Sequence, residues 1–310
     1  MTVTFGIKTT PMHTTYEQIR RTWLQADEVP ELADAWLWDH MLPLAGPPGG
    51  NLFEGWTLLA ALAPQTARLR LGLLVTNNLI RQPAVLGKMA TTVDVISGGR
   101  LVLGLGVGGT VRSASARQAR QAQTGQTQSP GGNGPAEYAA YGLTAVPPAE
   151  GIGRLSESIT IIRRMFTEDE FDFDGQYYTL SGTINEPKPV QRPGPPVLVG
   201  GAGTRLLRLV AEQADMWNIP GPPHASLEFL TERSRVLDQH CAEIGRDPAT
   251  ITRSVQIVTG ADDPAAVRAT VTGLIDAGFG HIVFGVRPPA PDNVPRWLAD
   301  EIIAPALEAI

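Results

Sequence analysis

Short β-rich runs that break off into polar loops, each followed by a stretch of helical periodicity, constrain this chain more than any other feature. FGIK leads to Thr9, LWDH ends at His40, LGLLV runs into Thr76-Asn77-Asn78, and LVLGLG opens into Val107-Gly108-Gly109. Loops between a strand and the helix after it are where an α/β enzyme keeps its chemistry. The first half predicts strands at 4–8, 35–38, 69–75 and 101–105, with helices at 14–28 and 53–63 and a third beginning at Pro83. That third helix carries Leu86, Met89, Ala90 and Val93 on one side and should stop at Gly98-Gly99.

The second half repeats the rhythm, with strands at 197–199, 216–219, 251–258 and 281–286. Helices are expected around Leu206 to Ala214, at 225–244, from Asp263-Pro264 onward and at 296–308. Asp263 suits an N-cap and Pro264 the first helical position. Eight strands interleaved with helices fit one closed (β/α)8 TIM barrel spanning residues 1–310 better than an open doubly wound sheet, because closure leaves no exposed edge. Residues 110–150 interrupt the pattern between strands four and five. Their QARQAQTGQTQSPGGNG portion has too little apolar patterning for a core and reads as a flexible surface insertion or a lid. A helix resumes at 155–166, and 171–180 reads as a hairpin outside the barrel, turning through Asp174-Gly175.

A chain of 310 residues with 43% apolar residues can bury a large core. The formal charge of -6, without a basic block, argues against nucleic acid as a partner. Apolar runs are broken by Gly, Asn or charge before membrane-spanning length, and the N-terminus has no charged segment followed by an apolar core, so a cytoplasmic protein off the membrane is expected. The lone Cys241 excludes an intrachain disulfide, and His13, His40, His224, His240 and His281 are too dispersed to suggest a metal site.

Asp39 and His40 stand at the catalytic end of strand two. His40 can orient a polar group or transfer a proton near neutral pH, and Asp39 can bind a donor; the plainer reading is a hydrogen-bonded strand end. Thr76, Asn77 and Asn78 offer amide and hydroxyl groups to a heterocycle, or to their own loop backbone. The Gly104 to Gly109 stretch, with Gly106 and Gly108, does not match a dinucleotide fingerprint and instead admits a flat ring near the backbone, or serves crowded barrel packing. Gly200-Gly201-Ala202-Gly203-Thr204 follows a strand and opens a helix, so its N–H groups can cradle an anion with help from Thr204 and Arg205. Trp38, Trp217 and Phe284 are either pocket walls or ordinary core.

The whole chain resembles the bacterial luciferase-like monooxygenase superfamily, especially its coenzyme F420-dependent oxidoreductase branch. The resemblance rests on LWDH at 37–40, VTNNLIRQPAVLGKMATTVDVISGGRLVLGLGVGG at 75–109, EYAAYG at 137–142 and GRLSESITIIRRMF at 153–166. It continues through FDGQYYTL at 173–180, PKPVQRPGPPVLVGGAG at 187–203 and ADMWN at 214–218. It implies a cofactor across the C-terminal strand ends, with Asp39 at the flavin-like ring, His40 beside its reactive face and Thr76-Asn77 binding the heterocycle. It also implies a non-proline cis peptide joining Leu74 to Val75, a phosphate seat at Gly200, Gly201, Gly203 and Thr204, and Arg154 near the anionic tail. F420 is the cofactor expected, FMN the alternative; the partners expected are a small organic substrate and a second copy of the chain in a homodimer. The acidic residue that F420-dependent sugar-phosphate dehydrogenases carry after the GVGG-like turn is replaced by Thr110 and Val111, and their Trp after the DH pair by Leu44, which weakens glucose 6-phosphate as substrate. Hydride transfer to or from an alcohol, carbonyl or activated alkene is the expected reaction. An FMN-dependent monooxygenase and a non-catalytic cofactor-binding barrel are the alternatives.

Overall fold

The computed structural model describes residues 2–47, 49–109 and 134–309. Parallel strands close into a ring in the order β3 (Arg70–Leu73), β2 (Leu32–Leu37), β1 (Thr4–Lys8), β11 (His281–Val286), β10 (Thr252–Thr259), β9 (Met216–Pro220), β8 (Val197–Gly200) and β5 (Leu101–Gly106). Closure is made by β3 pairing with β5 at Leu71↔Leu101 and Gly72↔Val102. The ring of eight strands, wrapped by helices, is the (β/α)8 TIM barrel that the strand count predicts. The short β4 (Thr76–Asn77) continues the third strand past Leu74-Val75 and pairs with the upper half of β5.

Local signals account for the helices. Thr15 and Gln18 form a reciprocal capping box at the start of α1 (Tyr16–Asp27). Glu54 accepts the N–H groups of Trp56 and Thr57 ahead of α2 (Gly55–Leu62), and Pro83 opens α3 (Pro83–Ile96), which ends at Gly98 and Gly99, both at positive φ. After α4 (Gly134–Ala140) come α5 (Pro148–Thr167), α6 (Thr204–Gln213), α7 (Leu227–Glu243) and α8 (Pro264–Asp276), the last capped by Asp263 as expected. The chain closes with α9 (Val294–Trp297), a π-helical turn at Leu298–Ile303 and α10 (Ala304–Glu308). Among the described residues no helix is long and apolar enough to cross a membrane.

Several boundaries differ from the sequence reading. The second strand begins three residues earlier, at Leu32, and α5 begins at Pro148 rather than 155. The hairpin of β6 (Glu170–Asp174) and β7 (Thr179–Ile184) forms outside the barrel, but it turns through Gly175–Tyr178 instead of a two-residue loop. The Glu157 carboxylate explains this: it accepts the N–H groups of Gln176 at 2.7 Å, Tyr177 at 3.0 Å and Tyr178 at 3.1 Å, which a tighter turn could not present together. Within the expected insertion, residues 110–133 lie outside the described residues, and the remainder carries α4 and the start of α5.

The barrel interior is divided by chemistry. Trp36, Leu74, Val102, Leu198, Met216 and Val283 form an apolar inner cluster. Beside it runs a hydrogen-bonded chain. Lys8 Nζ donates to Gln256 Oε1, Gln256 Nε2 to Asn218 Oδ1 at 3.0 Å, and Asn218 Nδ2 to Ser254 Oγ at 2.8 Å. Ser254 Oγ meets His281 Nδ1 at 2.8 Å, and His281 Nε2 lies 3.0 Å from both Asp34 oxygens. Asp34 is fully buried; burial works against its charge, but His281, Arg70 and the Trp36 indole outweigh it and hold the carboxyl below its usual range.

Glycine allows the strands to pack where β3 meets β5. A Cβ on Gly104 would lie 2.0 Å from the backbone oxygen of Leu73, a contact that no side-chain rotation relieves. Gly104→Ala is therefore expected to cost about 3 kcal/mol, read as a lowered midpoint in denaturant unfolding. A change within experimental error would show that the strand pair is less tightly apposed than this.

Candidate active site

The third strand carries one more residue than its neighbour. Between the pairs Gly72↔Val102 and Thr76↔Leu105, β3–β4 advances four residues and β5 three. This is a β-bulge, which bends a strand and re-aims its side chains. Its Leu74–Val75 peptide is cis. The Val75 side chain fills the space that Gly106 and Gly200 leave: a Cβ would meet it at 2.5 Å on Gly106 and 2.8 Å on Gly200. These glycines thus make room for the bulge rather than an open slot for a ring.

Past the bulge, Thr76, Asn77 and Asn78 are buried at the strand end. The Asn77 N–H donates to Asp39 Oδ2 at 2.9 Å, and its side-chain oxygen accepts the Tyr138 hydroxyl at 2.6 Å and the Leu79 N–H at 3.1 Å. Thr76 Oγ1 and both amide atoms of Asn78 are buried without a partner among the described residues. Buried polar groups require partners, and a planar heterocycle edged with carbonyl and N–H groups would supply them. Gly108, at φ +91°, passes close under Asn77 and Tyr138, and the Gly109 N–H donates to the Tyr138 hydroxyl at 2.8 Å.

Asp39 is almost completely buried, and its carboxylate is held by both Arg81 nitrogens, at 2.6 Å and 3.0 Å, besides the Asn77 N–H. Arg81 also pairs with Glu54, the cap of α2. Asp39 thereby locks the ends of the second and third strands together. His40, next along, is partly exposed; its ring packs edge-on against Trp38 at 5.4 Å, and its Nδ1 lies 3.0 Å from Glu137 Oε2. Glu137, on α4, also accepts the N–H groups of Met41 and Leu42. Burial pushes against the charge on Glu137, but the His40 hydrogen bond and field and the two N–H groups prevail and hold its carboxyl below the ordinary value.

The other seat is the turn from β8 into α6. Gly201 has φ +138°, and its carbonyl accepts the Trp217 indole N–H at 2.7 Å. Gly203 caps α6 without a side-chain hydrogen bond, and a Cβ there would have nothing within 4 Å. The first N–H groups of α6 are thus left for an anion. Thr204 is exposed, and its hydroxyl is 3.4 Å from Arg233 of α7. Arg154 makes other contacts: it pairs with Glu150 at 2.8 Å and lies over the rings of Tyr177 and Tyr178. Trp217 and Phe284 are fully buried in the outer core; Trp38 touches the site through His40 and Trp217 through its bond to Gly201, whereas Phe284 packs against Phe5.

Four contributors were not singled out from the sequence: Arg81, Glu137, Tyr138 and Lys8. Arg81, Glu137 and Tyr138 sit inside the quoted motif segments, which is the signal that could have found them. Lys8 shows itself through alternation, since Phe5 and Ile7 pack outward on the helices and place Gly6 and Lys8 inside. A cavity of about 420 Å³ lined by Arg163, Glu212, Asp215 and Arg246 lies at the opposite, N-terminal end of the strands, the end of such barrels that serves stability rather than chemistry.

The chain belongs to the luciferase-like monooxygenase family, whose model matches residues 3–123 and 131–298. It is 30% identical over 228 residues to the phthiodiolone/phenolphthiodiolone dimycocerosates ketoreductase of Mycobacterium tuberculosis, covering 71% of this chain and 48% of that relative. It shares its fold with an F420-dependent secondary alcohol dehydrogenase solved with an F420-acetone adduct (TM-score 0.77, 15% identity, 99% of each chain). It shares it equally with a riboflavin lyase solved with modified FMN and riboflavin (TM-score 0.74, 13% identity, 100% of this chain and 92% of that one). The fold is therefore one on which both deazaflavin and flavin binding occur.

Burial lowers the Lys8 amine from 10.5 to about 8. Between about 8 and 10.5 the unfolded chain binds more protons than the folded one at this group, so its contribution to stability rises with pH across that window. Lys8→Met should abolish this component, read as a smaller gain in unfolding free energy on going from neutral to alkaline buffer; an unchanged pH dependence would place the titration elsewhere.

Proposed function

We propose that this protein is an F420-dependent oxidoreductase that transfers hydride between the deazaflavin and an organic alcohol, carbonyl or activated alkene. The observation that carries the reading is a register: Asn77 pairs with Gly106, and Gly106 with Gly200. The buried heterocycle seat at Thr76–Asn78 and the open helix N-terminus after Gly200 are thus two strand spacings apart, about 10 Å. That span suits a tricyclic ring joined by a short chain to a phosphate. The alcohol dehydrogenase and ketoreductase likenesses support the same class of reaction.

When bound, the cofactor supplies the hydride; the protein supplies orientation and exclusion of water. Thr76, Asn78 and the Asn77 amide would hold the heterocycle's polar edge. Asp39, clamped by Arg81, fixes the backbone from which Asn77 projects. His40, with Nδ1 tied to Glu137, keeps Nε2 for ring-side proton transfer or orientation. The N–H groups that open α6, with Gly201, Gly203 and Thr204 shaping the turn, would hold the phosphate.

FMN is the second reading, because both seats also suit a flavin and a riboflavin lyase with modified FMN shares the fold. Anaerobic titration of cofactor-free protein with F420 and with FMN separates the two. Saturable F420 binding is expected, weakened at least tenfold in Gly201→Val, where a Cβ would meet Leu206 at 2.4 Å and φ is +138°. His40→Ala should lower turnover by 10²-fold or more while leaving F420 affinity within a few fold. Marked FMN preference, with oxygen obligatory for product, would replace the hydride reading with oxygenation.

A further inference from the structure

Lys8 is the last residue of β1, level with Trp36 of β2, and its ammonium reaches Gln256 inside the barrel, below the strand ends that carry His40 and Asn77. Its one hydrogen bond within the described residues is to Gln256 Oε1, and no carboxylate there lies within ion-pair distance of it. The surrounding charges do not neutralise it. Asp39 is taken by Arg81 and Glu137 by His40, while Asp34 lies at the far end of the polar chain, on His281 and Arg70. From the loop after β9, His224 lies in the field of Lys8 and of Arg287, which follows β11; burial and these two cations hold its imidazole below its ordinary value, so it brings no negative charge to Lys8.

The polar chain explains how such a cation is aimed. His281 bridges Ser254 Oγ, 2.8 Å from Nδ1, and Asp34, 3.0 Å from Nε2. Ser254 Oγ then accepts from Asn218, and Asn218 Oδ1 from Gln256. Both amide donors point down the barrel, which turns the Gln256 oxygen upward. One Lys8 proton is engaged there, leaving two donors of the ammonium for whatever occupies the mouth.

We propose that Lys8 is a catalytic residue that binds the oxygen of a carbonyl substrate and delivers the proton that turns it into a hydroxyl group. The assignment rests on the hydride-transfer reading above. The reductant is a reduced deazaflavin: its hydride, with two electrons, forms the new C–H bond at the carbonyl carbon as the C=O π bond breaks onto oxygen. Lys8 Nζ gives its proton to that oxygen, and the amine recovers one from solvent. His40, tied to Glu137, remains on the ring side. An amine shifted to about 8 gives up its proton more readily than an ordinary lysine while staying largely charged at neutral pH.

The chain has three lysines, Lys8, Lys88 and Lys188, so NMR of full-length protein carrying isotope-labelled lysine resolves Lys8 by its loss in Lys8→Met. A midpoint near 8 is expected. F420 affinity is then measured for both proteins, with reduction of acetone, cyclohexanone and a long-chain methyl ketone. Lys8→Met should retain F420 affinity within about threefold and lose about 10²-fold in turnover. In the parent chain kcat/KM for reduction should fall tenfold per pH unit above about 8, and alcohol oxidation should rise. Lys8→Arg, charged at all these pH values, should keep substrate affinity and lose the pH break. Turnover in Lys8→Met within threefold of the parent with the same pH profile, or a Lys8 midpoint at its ordinary value, overturns the assignment alone. A parent chain that neither binds F420 nor reduces any ketone overturns the hydride reading and the assignment with it.

Discussion

The extra residue in the third barrel strand is the constraint on which the rest of the mouth depends. It can be accommodated because Gly104, Gly106 and Gly200 present bare backbone to Leu73 and Val75. From that bulge the effects spread outward through hydrogen bonds. The Asn77 N–H reaches Asp39, Asp39 takes both nitrogens of Arg81, and Arg81 holds the cap of α2. A backbone irregularity in one strand is thereby transmitted to the end of the next strand and the start of its helix, and a buried pair with this many partners avoids leaving an unmatched charge.

Inside the barrel, an apolar cluster and a continuous hydrogen-bonded polar chain share one cylinder. An apolar filling alone would be simpler to stabilise. A polar chain is tolerated only when each member is satisfied, and here the charges sit at its ends, with Asp34 at the base and Lys8 at the top. The base end is well matched, because Asp34 faces His281, Arg70 and the Trp36 indole. The top end is not, since an amide oxygen is a weak counterpart for an ammonium. Instability concentrated at the mouth, with compensation at the base, is the distribution expected where one end of a barrel serves chemistry.

The alternation of β-branched runs, glycine stops and helix caps made the barrel legible: Asp263-Pro264, Pro83 and Gly98-Gly99 each mark a boundary that the structure keeps. Motif resemblance pointed to the strand ends at Asp39, Asn77 and Gly200, but it could not say which atoms there were already engaged. Asp39 looks like a free acid in LWDH, yet its partner Arg81 lies 42 positions away and is found only by folding. Arg154, which the resemblance places near an anionic tail, meets Glu150 four residues earlier and two tyrosines of the hairpin, contacts that the motif does not reveal. Lys8 was hidden by a rule of thumb, since a lysine closing a strand ordinarily reaches solvent; in a closed barrel the same position can face inward.

The absence of an acid just after Gly109 looked like the loss of a functional group. Glu137 changes what that absence means, because it brings a carboxylate to His40 from α4. The next residue of that helix, Tyr138, bridges Asn77 and Gly109. One helical turn therefore fixes the histidine of the second strand, the amide of the third and the loop after the fourth. An acid placed directly after β5 could polarise a neighbour without ordering α4, whereas an acid on α4 polarises His40 only when that helix is seated. The helix that borders the site thus also places the carboxylate beside its histidine and the hydroxyl beside its asparagine.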